Sequence, residues 1–70
     1  MCLAVPLQIT EINNLRTKAK GIFRGNEIEF DVRLISPSVG DFVLVHAGCA
    51  LEIIREEAAS EILELLNECE

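Results

Sequence analysis

The chain has no tryptophan and no tyrosine, and only 3 phenylalanines in 70 residues. The aromatic platforms on which single-stranded bases stack are therefore scarce. Basic residues are few as well: 6 Lys and Arg stand against 12 Asp and Glu, for a formal net charge of −6 at pH 7. That balance argues against sequence-independent nucleic-acid binding, which needs a basic footprint, and against an anionic membrane surface. No apolar run approaches the roughly 20 residues of a membrane-spanning helix. There is no Gly-rich phosphate loop, and no Ser, His and Asp at spacings that suggest a catalytic set. Cys2, Cys49 and Cys69 are odd in number, show no Cys-x-x-Cys spacing and follow no secretory leader. The thiols are expected to be free in a reducing, cytoplasmic compartment. A protein partner or a small cargo fits this inventory better than a nucleic acid or a bilayer.

Half of the residues are apolar, enough for a folded chain rather than a disordered one. Residues 1–70 are expected to form one small domain whose marginal core leaves room for a partner or a second copy to add stability. Residues 3–12 read as a first strand, with Pro6 at an edge, a strand start or a bulge because it cannot donate to a ladder. Asn13 and Asn14 mark a turn. In residues 16–23, Thr17, Ala19, Gly21 and Phe23 share one face, while Lys18, Lys20 and Ile22 take the other. Residues 27–34 alternate, with Ile28, Phe30, Val32 and Leu34 opposed to Glu27, Glu29, Asp31 and Arg33. Arg24-Gly25-Asn26 joins these two strands as a hairpin, and the lysines then oppose the acids on a solvated outer face. Ser36 to Asp41 is a turn cluster, Phe42 to His46 a strand, Ala47-Gly48 a break, and residues 50–54 a last strand. About five short strands with Gly and Pro turns point to a mainly β fold, a small barrel or a strongly bent sheet over residues 1–54.

From residue 55 the period changes. Ala58, Ile62, Leu65, Leu66 and Cys69 line up on one side of a C-terminal helix over residues 55–70. Glu56 and Glu57 fall in its first turn, where the helix dipole favours acids. Glu61, Glu64, Glu68 and Glu70 point to solvent. The stripe is expected to pack on the barrel, the alternative being a partner's groove.

Few residues can carry chemistry. Cys2 stands next to the chain's start. If Met1 is removed, thiol and α-amine share one residue, and an ammonium beside a thiol raises its thiolate fraction. Thiolate binds soft metals and attacks electrophiles; the plain alternative is a small apolar residue opening a strand. His46 ends an apolar strand, either as a hydrogen-bonded cap or as a metal ligand or proton acceptor. Cys49 lies three residues beyond it, but two ligands do not make a structural zinc site. Cys69 reads as a small core residue. A Cys nucleophile with a His base is chemically possible, yet the chain has little room for a substrate pocket and an oxyanion hole, so it is not expected to be an enzyme.

The opening Met1-Cys2-Leu3-Ala4-Val5-Pro6 and the block Gly40-Asp41-Phe42-Val43-Leu44-Val45-His46-Ala47-Gly48 resemble the HypC/HupF family of [NiFe]-hydrogenase maturation chaperones. The resemblance runs through essentially the whole chain. It implies an OB-like β-barrel followed by a helix, and a role in assembling the Fe(CN)2CO group of a hydrogenase. It further implies two partners, a HypD-like iron–sulfur scaffold and the precursor of the hydrogenase large subunit. In that family the essential thiol corresponds to Cys2 and the motif histidine to His46, which are thus the expected ligands of transiently bound iron. Cys2, Leu3, Ala4, Val5 and Pro6 become the expected partner-binding segment. A metal-free adaptor bridging maturation proteins is the alternative. The chain departs from the family pattern twice, with Leu7 where Gly is frequent and with Cys49 where an aromatic or aliphatic residue is common.

Overall fold

The computed structural model describes the backbone of residues 4–68 and the side chains of residues 4–66. Five strands, β1 (Val5–Ile12), β2 (Lys18–Phe23), β3 (Asn26–Asp31), β4 (Phe42–His46) and β5 (Cys49–Ile54), are followed by one helix, α1 (Glu56–Glu68). The strands close into a barrel in the order β1-β2-β3-β5-β4. This is the mainly β barrel with a C-terminal helix that the sequence led us to expect.

Alternation builds the core. Leu7 and Ile9 from β1, Ala19 from β2, Phe30 from β3, Val43 and Val45 from β4 and Ala50 from β5 all point inward and are buried. Each of the larger inward side chains, Leu7, Ile9, Phe30, Val43 and Val45, contributes roughly 1.5–3 kcal/mol before entropy is set against it. Gly21 faces the same interior. A Cβ there would stand 2.9 Å from the carbonyl oxygen of Gln8 and 3.3 Å from the Phe30 ring, so the bare backbone is what lets β1 and Phe30 close in. The β2–β3 register pairs Lys18 with Asp31 and Lys20 with Glu29, so the lysines do oppose the acids.

Both tight hairpins have two-residue loops with positive φ at each central position, Arg24 and Gly25 in one and Ala47 and Gly48 in the other. Such primed turns match the right-handed twist of the flanking strands. β1 carries a bulge between Ile9 and Glu11, and the β4–β5 pair a second one beside Leu44 and Val45. Bulges of this kind bend strands sharply enough to close a small barrel. Pro6 sits near the start of β1, where its pairing is with Leu44 of β4, in keeping with a strand-start position.

Three expectations are corrected. β2 begins at Lys18 rather than at residue 16, because the Asn13 side-chain oxygen captures the backbone N–H groups of Thr17 and Lys18 at 2.9 and 3.1 Å. Arg16 takes the positive φ in this turn, rather than either asparagine. β3 stops at Asp31 rather than at residue 34. The Asp31 carboxylate accepts the N–H of Arg33 at 2.8 Å, which turns the chain away from the ladder. Val32 remains buried, but Leu34, expected beside it in the core, is 68% exposed. The helix does pack on the barrel, lying against β1 and β4, but turned from the expected stripe: Leu66 of that stripe is buried and Ala58 and Ile62 are half-buried, whereas Leu65 is not. Ala59 and Leu66 are its buried residues, and Leu65 is 60% exposed. Apolar side chains at residues 58, 59, 62, 63, 65 and 66 span an arc of roughly 160° at about 100° per residue, wide enough for two overlapping stripes. The methyl of Ala59 permits a closer approach than Leu65 would. Cys69 and its share of the stripe lie outside the described residues.

Candidate functional site

One end of the barrel gathers the residues that carry chemistry. His46 is the last residue of β4 and Cys49 the first of β5, paired with each other across the Ala47-Gly48 turn. Cys49 is also the one β5 residue in register with β3, opposite Asp31. Asp31 in turn faces Lys18 of β2. Directly paired residues project from the same side of a sheet. The neighbours Val45, Ala50, Phe30 and Ala19 are all buried inside, so Lys18, Asp31, Cys49 and His46 form a belt on the outside. β1 extends the row past His46, since Val5 pairs with Val45 and brings Ala4 alongside His46; Lys18, at the other end of the row, meets the far end of β1, where the Asn13 N–H donates to its carbonyl.

The belt is held by short polar contacts. Asp31 binds Arg33 through an ion pair of 2.7 Å to one guanidinium nitrogen and a hydrogen bond of 2.9 Å from Nε. The side-chain hydrogen bond from Arg33, helped by the Arg33 backbone N–H, holds the Asp31 carboxyl below its ordinary value of 3.8. The same bond and the Asp31 charge raise Arg33. The backbone N–H of Asp31 donates to the Gly48 carbonyl at 2.9 Å, tying β3 to the turn between His46 and Cys49. Gly48, at a φ of +79°, takes a conformation that side chains with a Cβ rarely adopt.

His46 is exposed and Cys49 half-buried and unoxidised. The Cys49 sulfur makes only a long contact of 4.0 Å to the Ala50 carbonyl. Among the described residues no three of His, Cys, Asp and Glu converge on a point where a metal ion could be held. The described part of the expected ligand set is thus His46, with Cys49 beside it in register; Cys2 lies outside the described residues, as does Leu3. Of the expected partner-binding segment, Val5 packs against the core, Pro6 is buried and Ala4 is half-buried. The sequence marks Asp31 and Arg33 only as solvated charges; in the fold they bond to each other, and Asp31 stands in register with Cys49. The Asp-x-Arg spacing at the end of an alternating run, which allows the aspartate to bond two residues ahead, was the available signal. Among the described residues no helix is long and apolar enough to cross a membrane.

Comparison with known proteins agrees with this architecture and with the sequence motifs. The family description HupF/HypC matches residues 1–66. The hydrogenase maturation factor HypC of Helicobacter hepaticus is 38% identical over 71 aligned positions, covering 97% of this chain and 80% of the relative. HypC of Escherichia coli K12 is 36% identical, covering 96% of this chain and 80% of the relative. HypC of Rhizobium leguminosarum is 34% identical, covering 97% and 91%. With matches of this extent at both the family and the individual level, the chain belongs to the HupF/HypC family.

Proposed function

We propose that this chain carries iron as an Fe(CN)2CO unit during assembly of a [NiFe]-hydrogenase, with Cys2 as anchoring thiolate and His46 as its neighbour at the metal. The relatives are hydrogenase maturation factors, and this chain acts in hydrogenase maturation. Members of the family are maturation chaperones, not enzymes.

The observation that supports the finer reading best is the β1–β4 register. Val5 opposite Val45 sets Ala4 beside His46, and Cys2 is joined to Ala4 through Leu3 alone. Covalent geometry keeps the Cys2 and Ala4 Cα atoms within about 7 Å of each other, the reach within which thiol and imidazole are proposed to meet. Low-spin iron bearing cyanide and carbon monoxide is soft and favours thiolate. A single thiolate bond holds such a cargo while leaving it transferable, whereas a full cage of protein ligands would trap it. The imidazole of His46 serves as a second ligand or as the holder of a proton near the cargo, roles that neutral-range titration allows. A HypD-like iron–sulfur scaffold is the proposed source of the iron unit and the large-subunit precursor its proposed destination, both met in the cytoplasm.

The test is hydrogenase maturation in cells that lack the native factor. Cys2→Ala is expected to abolish maturation with its denaturant midpoint unchanged, while Cys49→Ala retains maturation. Full maturation by Cys2→Ala contradicts the carrier reading.

A further inference from the structure

A second feature of the surface lies away from the belt. Between α1 and the outer face of β1, β2 and β4 runs an open groove of about 450 Å³, with Pro6, Ile22, Phe42 and Leu63 as its apolar walls. That volume falls within the roughly 300–1,000 Å³ of sites that take a ligand. Its polar lining is already engaged. The Gln8 amide donates to the Gly40 carbonyl at 3.2 Å and the Thr10 hydroxyl to the Lys20 carbonyl at 3.2 Å. The cation on this wall, Arg24, lies over the Phe23 ring at 5.1 Å. A small polar molecule would find little to fix its orientation, since such sites depend on a few well-placed polar groups. Apolar side chains would find four apolar walls.

Charge selects the occupant. The described side chains of α1 include Glu56, Glu57, Glu61 and Glu64 and no Lys or Arg. At 100° per residue, Glu56 stands two turns before Leu63 on the same line of the helix, and Glu64 is one step round from it. The rim on the helix side is therefore acidic. The groove also includes Pro6, four residues after Cys2 in the sequence.

We infer that this groove docks an amphipathic segment of a partner protein, apolar on the side that enters and carrying Lys or Arg on the flank that meets α1. The inference rests on the reading of the chain as a carrier that must hold a protein partner close to Cys2.

The probe is a short acetylated amphipathic peptide of leucine and lysine, added to the isotope-labelled full chain and followed by NMR. A leucine and glutamate peptide of the same pattern is the control. Shifts are expected at the amides of Gln8, Ile22, Phe42 and Leu63 with the lysine peptide and not with the glutamate one. Ile22→Ser should weaken binding about tenfold, equivalent to about 1.4 kcal/mol, and Leu65→Ser, on the other flank of the helix, should leave it unchanged. Both positions are substantially exposed, at 46% and 60%, and neither change alters the charge, so non-specific attraction is held constant. Equal affinity of the two variants and the wild type, binding of both peptides alike, or occupation of the groove by a second copy of the chain each overturns the inference. Should Ile22→Ser bind normally while Cys2→Ala abolishes maturation, the groove fails and the carrier reading stands. Should Cys2→Ala mature hydrogenase while Ile22→Ser loses the peptide, the reverse holds.

Discussion

Asp31 ends a strand, pairs a guanidinium and borders a thiol. Its carboxylate accepts both the backbone N–H and the side chain of Arg33, and those bonds stabilise its charged form. A carboxyl whose folded pKa is depressed contributes stability that is fully present above its unfolded value. The contribution fades as pH falls through the folded value. Asp31→Asn is therefore expected to be less stable than the wild type at neutral pH. The gap should hold down to about pH 5 and shrink below about pH 4. Urea denaturation across that range reads it, and a gap that stays constant or widens on acidification contradicts the assignment. The same residue shows a limit of pattern reading. Alternation from Glu27 to Leu34 has no visible break, and only the side-chain bond two residues ahead ends β3 and leaves Leu34 in water. His46 and Cys49, by contrast, are legible as neighbours, because Ala47-Gly48 has the two-residue length of a tight hairpin.

Among the elements, the strands were more legible than the helix face. A strand has two faces, and the inward set Leu7, Ile9, Phe30, Val43 and Val45 follows from period two once the turns are found. An apolar arc of roughly 160° is wider than a single packing contact, and the docking against β1 and β4 chooses which part of it is buried. Leu66 was chosen and Leu65 was not. Leu66→Ala is accordingly expected to cost about 2 kcal/mol, the lower end for a buried leucine at an interface that can relax. Leu65→Ala should stay within about 0.5 kcal/mol of the wild type. Chemical denaturation of the two variants side by side reads how the arc is turned, and the opposite ranking would centre the buried face on Leu65.

At the scale of the whole molecule, closure creates the candidate site. Lys18, Asp31, Cys49, His46 and Ala4 come from five different stretches of the chain, and only the β1-β2-β3-β5-β4 order lays them side by side. The β3–β5 contact joins strands that are not consecutive in sequence, through the single pair Asp31 and Cys49. No local pattern announces such a pairing, which is why the fold class was readable and the placing of Asp31 beside Cys49 was not. The acidic balance of the chain excludes one group of partners and favours another, since a net charge of −6 repels nucleic acid and phospholipid and attracts basic protein segments. The central claim concerns what sits at the end of this barrel. Infrared spectroscopy in the cyanide and carbonyl stretching region tests it most directly, on protein purified without oxygen from cells that also express its maturation partners. Cyanide and carbonyl bands in the wild type that disappear in Cys2→Ala are the predicted result. A wild type that co-purifies with its partner and shows no such bands contradicts the iron carrier and makes the chain a metal-free adaptor.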